Sequence, residues 1–300
     1  MKKIVSLILS LSIFLCVGQS VSAAEVSTVQ NNVDTASVVL DANSKIIFAN
    51  KMDAIYAEAL AAGEIKPGNR SEIDKLMEAA TFATTETELE KVRHELSQYG
   101  TYMYDSPVTA HSRSFSGDVT LATPIIFYES WERTWTVTCG GNWKNGNWWE
   151  QLWTAGVGNV GGVDAFGVGY TNSTHTYKSS VVRASAYITD SIDELMETTS
   201  NRSDGDGSKG FGFRFQDYSY TWPDGVGYVG YKWYGSCTYD ANFSSYNGVA
   251  TAYYFHTYSR AEISSISFGV EGKTAGVNVN ITEQQYSFPA YSSDRTFGVY

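Results

Sequence analysis

The chain of 300 residues has three cysteines, five prolines and four histidines, and several familiar catalytic motifs are absent from it. No Cys-x-x-Cys pair occurs, which leaves a redox motif or a cysteine zinc site without support. No His-Glu-x-x-His and no Gly-x-Ser-x-Gly occurs, and the histidines lie far apart at 94, 111, 175 and 256. We therefore expect no metal site, no hydrolase nucleophile elbow and no cofactor.

Positive charge is also scarce. The chain has 21 Lys and Arg against 32 Asp and Glu, which gives a formal net charge of −11. Bulk electrostatics of this sign disfavour nucleic acids and anionic membranes as partners.

Long apolar runs are confined to the N-terminus. Lys2 and Lys3 precede an apolar stretch over 4–17, and Val21-Ser22-Ala23 supplies small residues at a cleavage site. This pattern predicts a secretory signal peptide, 1–23, cleaved after Ala23, and hence an extracellular protein. This layout is common among secreted proteins of Gram-positive bacteria.

Two alternatives to simple secretion are disfavoured. Cys16 follows Leu15, whereas lipoprotein processing needs a small residue before the cysteine. A retained membrane anchor would need roughly 20 apolar residues, and this run is shorter.

The composition changes near residue 110. All eight tryptophans lie at 131 or later, and four of the 27 glycines precede 115. We therefore divide the rest of the chain into a flexible lead-in (24–43), a helical region that is a candidate pro-segment (44–104) and an aromatic-rich antiparallel β domain (113–300).

The region 44–104 has helical periodicity. Phe48, Met52, Ile55 and Ala59 recur at helical spacing before Gly63. Ser71 with Asp74, and Thr85 with Glu88, resemble capping boxes. Three short amphipathic helices are predicted.

From about 113 the apolar period becomes two. The stretch 125–139 is predicted as one strand with a buried face, and Gly, Asn, Asp and Ser separate the further candidate strands. These candidates are 163–171, 177–188, 211–221, 227–239, 249–268, 275–286 and 294–300. Consecutive strands without helices predict an α+β protein whose main part is an antiparallel β-sandwich, jelly-roll-like or related, after a short helical N-terminal region.

Cys139 and Cys237 remain after cleavage of the leader, and both fall on aromatic faces of predicted strands. In an oxidising compartment this matched parity predicts a disulfide between them, with two buried thiols as the alternative.

Tryptophans cluster around Asn145-Gly146, a strong hairpin-turn signal. Trp143, Trp148, Trp149 and Trp153 are candidate ligand-binding residues, as an aromatic platform for sugar rings. The alternative, which we favour for the cluster, is a hydrophobic cover over one end of the sandwich.

Acidic residues supply the weaker candidates. Glu129, Glu132 and Glu150 are weak candidates for catalysis, and a structural ion pair is the commoner role for such a carboxylate. Asp204 and Asp206 are spaced like calcium ligands but lack the glycine and distal glutamate of an EF-hand loop, so a solvated turn is the preferred interpretation.

These patterns favour a secreted, non-catalytic protein that binds an extracellular glycan or cell-surface component. A secreted carbohydrate-active enzyme is the second possibility. A β-type pore-forming or bacteriocin-like toxin is the third, because 263–283 alternates like a membrane hairpin, and it alone would engage a membrane.

The leader assignment has a direct test. We expect intact-mass analysis of the secreted protein to give a chain that begins at Ala24, because the small residues at 21 and 23 direct cleavage there. A lipid-modified chain that begins at Cys16 would contradict it.

Overall fold

A computed structural model describes residues 43–109, 117–146, 157–194, 196–202, 207–222, 225–258, 261–283 and 287–298. Within them the α-helices are α1 (Ser44–Ala61), α2 (Arg70–Phe82) and α3 (Glu86–Ser97). Thr85 and Glu88 form a full capping box at the start of α3, whereas Asn69, not Ser71, caps α2.

The rest of the described chain is mainly β-strand. The strands are β1 (Thr101–Met103), β2 (Val108–Thr109), β3 (Val119–Leu121), β4 (Ile125–Glu129), β5 (Thr134–Trp143), β6 (Val157–Thr174), β7 (Val181–Thr189), β8 (Met196–Thr199), β9 (Gly210–Trp222), β10 (Gly225–Val229), β11 (Lys232–Tyr239), β12 (Asn247–Thr257), β13 (Ile263–Phe268), β14 (Val277–Ile281) and β15 (Ser287–Thr296).

These strands form three antiparallel sheets. The first sheet has the order β1-β4-β5-β11-β7-β8, and β3 also pairs with β5. The second has the order β10-β9-β6-β12-β15-β2, and β13 pairs with β14 as a separate hairpin. The protein is thus a β-rich α+β fold with several layers.

The two larger sheets share one aromatic core. Alternate residues of β5, among them Trp135, Val137 and Trp143, belong to one buried cluster with alternate residues of β6, β9 and β12 such as Phe166 and Phe213. Period-two alternation on both sheets supplies one apolar face each, and burial of these faces against one another is the main hydrophobic contribution to the fold.

The outer face of the first sheet is covered by α2 and α3. Ile73, Met77 and Leu96 from the helices form a second buried cluster with Ile125 and Phe127 of β4. Helices of 13 and 12 residues are marginal alone, so this apolar contact stabilises them.

The outer face of the second sheet is covered by the β13–β14 hairpin. Ile266, Val277 and Val279 are buried there against Tyr253 and Phe255 of β12. The one-sided alternation of 263–283 is therefore core packing.

Helix α1 closes one edge of the main core. The Lys45 ammonium is buried and donates to the carbonyl oxygen of Phe297 at 2.9 Å and to that of Tyr246. Burial lowers the pKa of Lys45 to about 7.

The predicted single strand over 125–139 is wrong. Residues 130–133 form a turn, with Arg133 at φ 54°, so β4 and β5 make a hairpin. Glu129 and Phe127 consequently face the helices, whereas Trp135 and Cys139 face the main core.

The predicted Cys139–Cys237 disulfide is also wrong, because both residues are buried free thiols. They do share a sheet face, but Cys139 lies opposite Gly235 and Cys237 lies opposite Val137. Such diagonal neighbours are about 7–8 Å apart. Disulfide Cα atoms are usually closer, about 4.4–6.8 Å. Burial raises the pKa of Cys237 to about 12, so the thiol stays protonated.

Strands β1 and β2 pair with β4 and β15 of the two large sheets, on the N-terminal side of the predicted boundary at 113. None of the helices in the described ranges combines the length and apolarity needed to span a bilayer.

A substitution in α2 tests whether the helices belong to the core. Ile73 is fully buried, so Ile73→Ala should lower the free energy of unfolding by about 2–5 kcal/mol in chemical denaturation. Exposed Lys91→Ala is the control and should change little. An unchanged midpoint for Ile73→Ala would mean that the helices stabilise nothing.

Candidate functional site

An open cleft of about 460 Å³ lies at one end of the two large sheets. It is formed where β5 and β7 end and where β9, β10 and β11 meet. Its lining residues are Asn145, Gly146, Asp190, Ser191, Ile192, Tyr220, Val226, Gly227, Tyr228 and Tyr231. The volume is in the range of about 300–1,000 Å³ that is typical of ligand pockets.

The aromatic floor of the cleft depends on a glycine. The Tyr220 ring lies across Gly227, where an added Cβ would be 2.1 Å from the ring. The Tyr220 hydroxyl donates to Asp190 Oδ2 at 3.1 Å. Asp190 also accepts the backbone N–H groups of Ile192 and Glu194, which fixes this wall.

A second wall comes from the end of β5. The Asn145 side-chain amide donates to Asp118 Oδ1 at 2.7 Å, and the Lys144 N–H donates to the Asp118 carbonyl oxygen. These bonds hold Asn145 and Gly146 at the rim of the cleft.

Beneath the cleft, the Tyr228 hydroxyl connects the cleft lining to a polar cluster in the core. Tyr228 is almost fully buried, and its hydroxyl donates to Asp217 Oδ2 at 2.6 Å. Asp217 belongs to a cluster with Asp164 and His256, whose donor atoms all lie within 4.8 Å of one another.

The three residues of this cluster come from the adjacent strands β9, β6 and β12 and face the main core. His256 Nδ1 lies 2.9 Å from Asp164 Oδ2, which also accepts from the Tyr254 hydroxyl at 2.6 Å. The Thr257 N–H donates to Asp164 Oδ1 at 2.9 Å. Pairing of β6 with β9 is irregular between Asn159 and Val163, opposite Asp217.

Burial raises the pKa of Asp217 and of the two tyrosines that donate to the aspartates. Burial, followed by the nearby Asp164 charge, raises the pKa of Asp217 well above its usual range. Burial also raises the pKa of Tyr228 and Tyr254, so both hydroxyls remain donors to the carboxylates.

Asp164, Asp217 and His256 are the described residues that could hold a metal ion; in its absence they could share a proton. Sequence reasoning missed them because they are far apart in the chain. The sequence does contain one indication of them, because each interrupts the apolar face of a strand. Asp164 lies two positions before Phe166, Asp217 two positions after Phe215, and His256 two positions after Tyr254.

The tryptophan platform is not supported at Trp143. This residue is buried in the main core, edge-on to His256 with ring centres 5.1 Å apart, because its parity on β5 points inward. Trp148, Trp149 and Trp153 lie outside the described residues, so their predicted ligand-binding role stays a prediction.

Two weak catalytic candidates lie on the helical side of the first sheet. Buried Glu129 pairs with Arg70 and, at 2.8 Å, with Arg183, and it accepts the Thr136 hydroxyl at 3.0 Å. Glu132 pairs with Arg183 at 2.6 Å. This arrangement favours an ion-pair network that ties α2 to the sheet.

The remaining candidates are outside the described residues. They are Glu150 and the two calcium candidates Asp204 and Asp206.

The role of Glu129 can be tested by stability. Glu129→Gln leaves two arginines without their buried partner and should lower the free energy of unfolding by about 3–5 kcal/mol. Glu132→Gln, at a half-exposed site on the same arginine, is the matched control and should cost about 1 kcal/mol or less. Equal stability of both variants and the wild type would contradict a structural role.

Comparison with known proteins gives no family for this chain, so its function is inferred from the geometry of the site. No protein-family model matches the chain, and no curated protein shows significant similarity to it.

Proposed function

We propose that this is a secreted, non-catalytic protein that binds an extracellular glycan or cell-surface component in the cleft at the end of its sheets. We also propose that the two large sheets form a β-sandwich of the jelly-roll or a related type. The observation that supports the binding function is the cleft itself, which combines half-buried tyrosine rings with a fixed carboxylate.

The chemistry of the lining suits a polyhydroxylated ligand. Tyr220 and Tyr231 offer flat apolar faces against which a sugar ring can pack. Asn145 offers an amide to hydroxyl groups at the rim, while the Asp190 carboxylate holds the Tyr220 ring in position. The net charge of −11 disfavours a polyanionic ligand.

The carboxylates argue against glycoside hydrolysis as the first choice. Hydrolysis of a glycosidic bond uses two accessible carboxyl groups about 5–9.5 Å apart. The described lining of the cleft has one carboxylate, Asp190. Asp164 and Asp217 form a pair, but both are buried below Tyr228, where a sugar cannot reach them.

A pore-forming function is also less favoured. The β13–β14 hairpin does lie on the outer face of a sheet, as a stored membrane hairpin would. Its arms, however, have 6 and 5 residues, and a membrane strand needs about 9–11.

A polysaccharide array tests the proposal with the mature protein. We expect binding without release of reducing ends, and no dye release from liposomes. Tyr220→Ala and Tyr231→Ala should weaken binding about tenfold or more, because each removes a central aromatic contact. Tyr220→Phe keeps the ring but loses the hydrogen bond to Asp190, and should weaken binding less.

The control is Tyr177→Ala. Tyr177 is an exposed tyrosine just before β7 begins, whereas the cleft lies where β7 ends. Binding that Tyr177→Ala reduces as much as Tyr220→Ala would contradict a site in the cleft. New reducing ends would favour the enzyme, and dye release at sub-micromolar protein would favour the toxin.

A further inference from the structure

The buried cluster of Asp164, Asp217 and His256 is not explained by ligand binding in the cleft. Asp164 is 5 % exposed, Asp217 2 % and His256 0 %. Burial of charged carboxylates costs free energy unless opposite charge or several hydrogen bonds compensate for it.

The described residues provide little compensation for the charge. His256 makes the one ion pair of Asp164, and no lysine or arginine among the described residues pairs with either carboxylate. Even with a protonated imidazole, two ionised carboxylates would leave one uncompensated negative charge. A divalent cation would neutralise the charge of both carboxylates.

Few groups donate to the Asp217 carboxylate. Its Oδ2 accepts the Tyr228 hydroxyl at 2.6 Å, its Oδ1 lies 3.5 Å from the Gln216 side-chain amide, and its own backbone N–H also donates to the carboxylate. A buried carboxylate normally accepts several hydrogen bonds. One oxygen of this carboxylate belongs to the donor set that converges within 4.8 Å with Asp164 and His256.

Hydrogen bonds from neighbouring groups hold both carboxylates in place, as is usual for carboxylates that bind a metal ion. The Tyr254 hydroxyl and the Thr257 N–H position Asp164, and the Tyr228 hydroxyl positions Asp217. Hydrogen bonds of this kind orient ligating carboxylates and preserve their geometry.

We propose that Asp164, Asp217 and His256 bind one divalent transition-metal ion of the zinc or manganese class. Two carboxylate oxygens and one imidazole nitrogen are the donors that suit these ions, whereas calcium and magnesium prefer oxygen ligands alone. The ion joins β6, β9 and β12, the three neighbouring central strands. It cross-links the second sheet in a chain whose described cysteines form no disulfide.

Full burial implies that the ion enters during folding, so the test uses refolded mature protein. The wild type is unfolded, refolded with EDTA, Zn²⁺ or Mn²⁺, and dialysed. We expect about one ion per chain by elemental mass spectrometry and a higher unfolding midpoint than in EDTA. X-ray absorption of the zinc form should show nitrogen and oxygen ligands and no sulfur, which excludes binding by Cys139 and Cys237.

Two isosteric variants assign the ion to the cluster. Asp217→Asn and His256→Gln should reduce metal affinity at least about 100-fold, whereas exposed His175→Gln should retain it. If a variant fails to fold, the metal content and the absorption spectrum of the wild type still decide the proposal.

Two results would overturn it. In the first, the wild type refolds without metal and Asp217→Asn is equally or more stable in EDTA, since asparagine mimics a protonated acid; the cluster then shares a proton. In the second, metal binds equally to the wild type and both variants. Neither result depends on whether the cleft binds a glycan.

Discussion

Two carboxylates buried side by side in an aromatic core constrain the second sheet more than any other feature. Asp164 and Asp217 accept hydrogen bonds from Tyr254, Thr257 and His256 of β12 and from Tyr228 of β10, where these strands meet β6 and β9. The order β10-β9-β6-β12 places these strands side by side. A different register would move each polar side chain to the outer face and bury others without partners.

The layers around this core follow from one rule. Each large sheet has a second face that is partly apolar, and each such face is covered. Helices α2 and α3 cover Ile125 and Phe127 of the first sheet, and the β13–β14 hairpin covers Tyr253 and Phe255 of the second. The end of the sheets that carries the cleft presents the half-buried rings of Tyr220 and Tyr231. Tyr228 belongs to both environments, since its ring lines the cleft and its hydroxyl holds Asp217.

Local patterns in the sequence were informative where local physics decides the structure. The Thr85–Glu88 capping box begins α3, and the alternation over 263–283 gives a one-sided hairpin. Strand breaks were harder to predict, since 227–239 and 249–268 each contain parts of two strands. The predicted disulfide was wrong because equal parity places two cysteines on one sheet face without making them direct cross-strand neighbours.

The buried cluster of Asp164, Asp217 and His256 could not be predicted from local sequence patterns, because contacts between distant parts of the chain form it. Asp164 and His256 are 92 positions apart, and only the pairing of β6 with β12 joins them. Trp143 was one of the candidate ligand-binding residues, yet its side chain packs on His256 in the interior.

Anomalous diffraction tests the central claim most directly. Crystals of the zinc-loaded protein, measured on both sides of the zinc absorption edge, should show a peak between Asp164, Asp217 and His256. That result would explain how two acids remain in the core. A map with no peak there, and with a carboxyl–carboxylate hydrogen bond between the two aspartates, would contradict it.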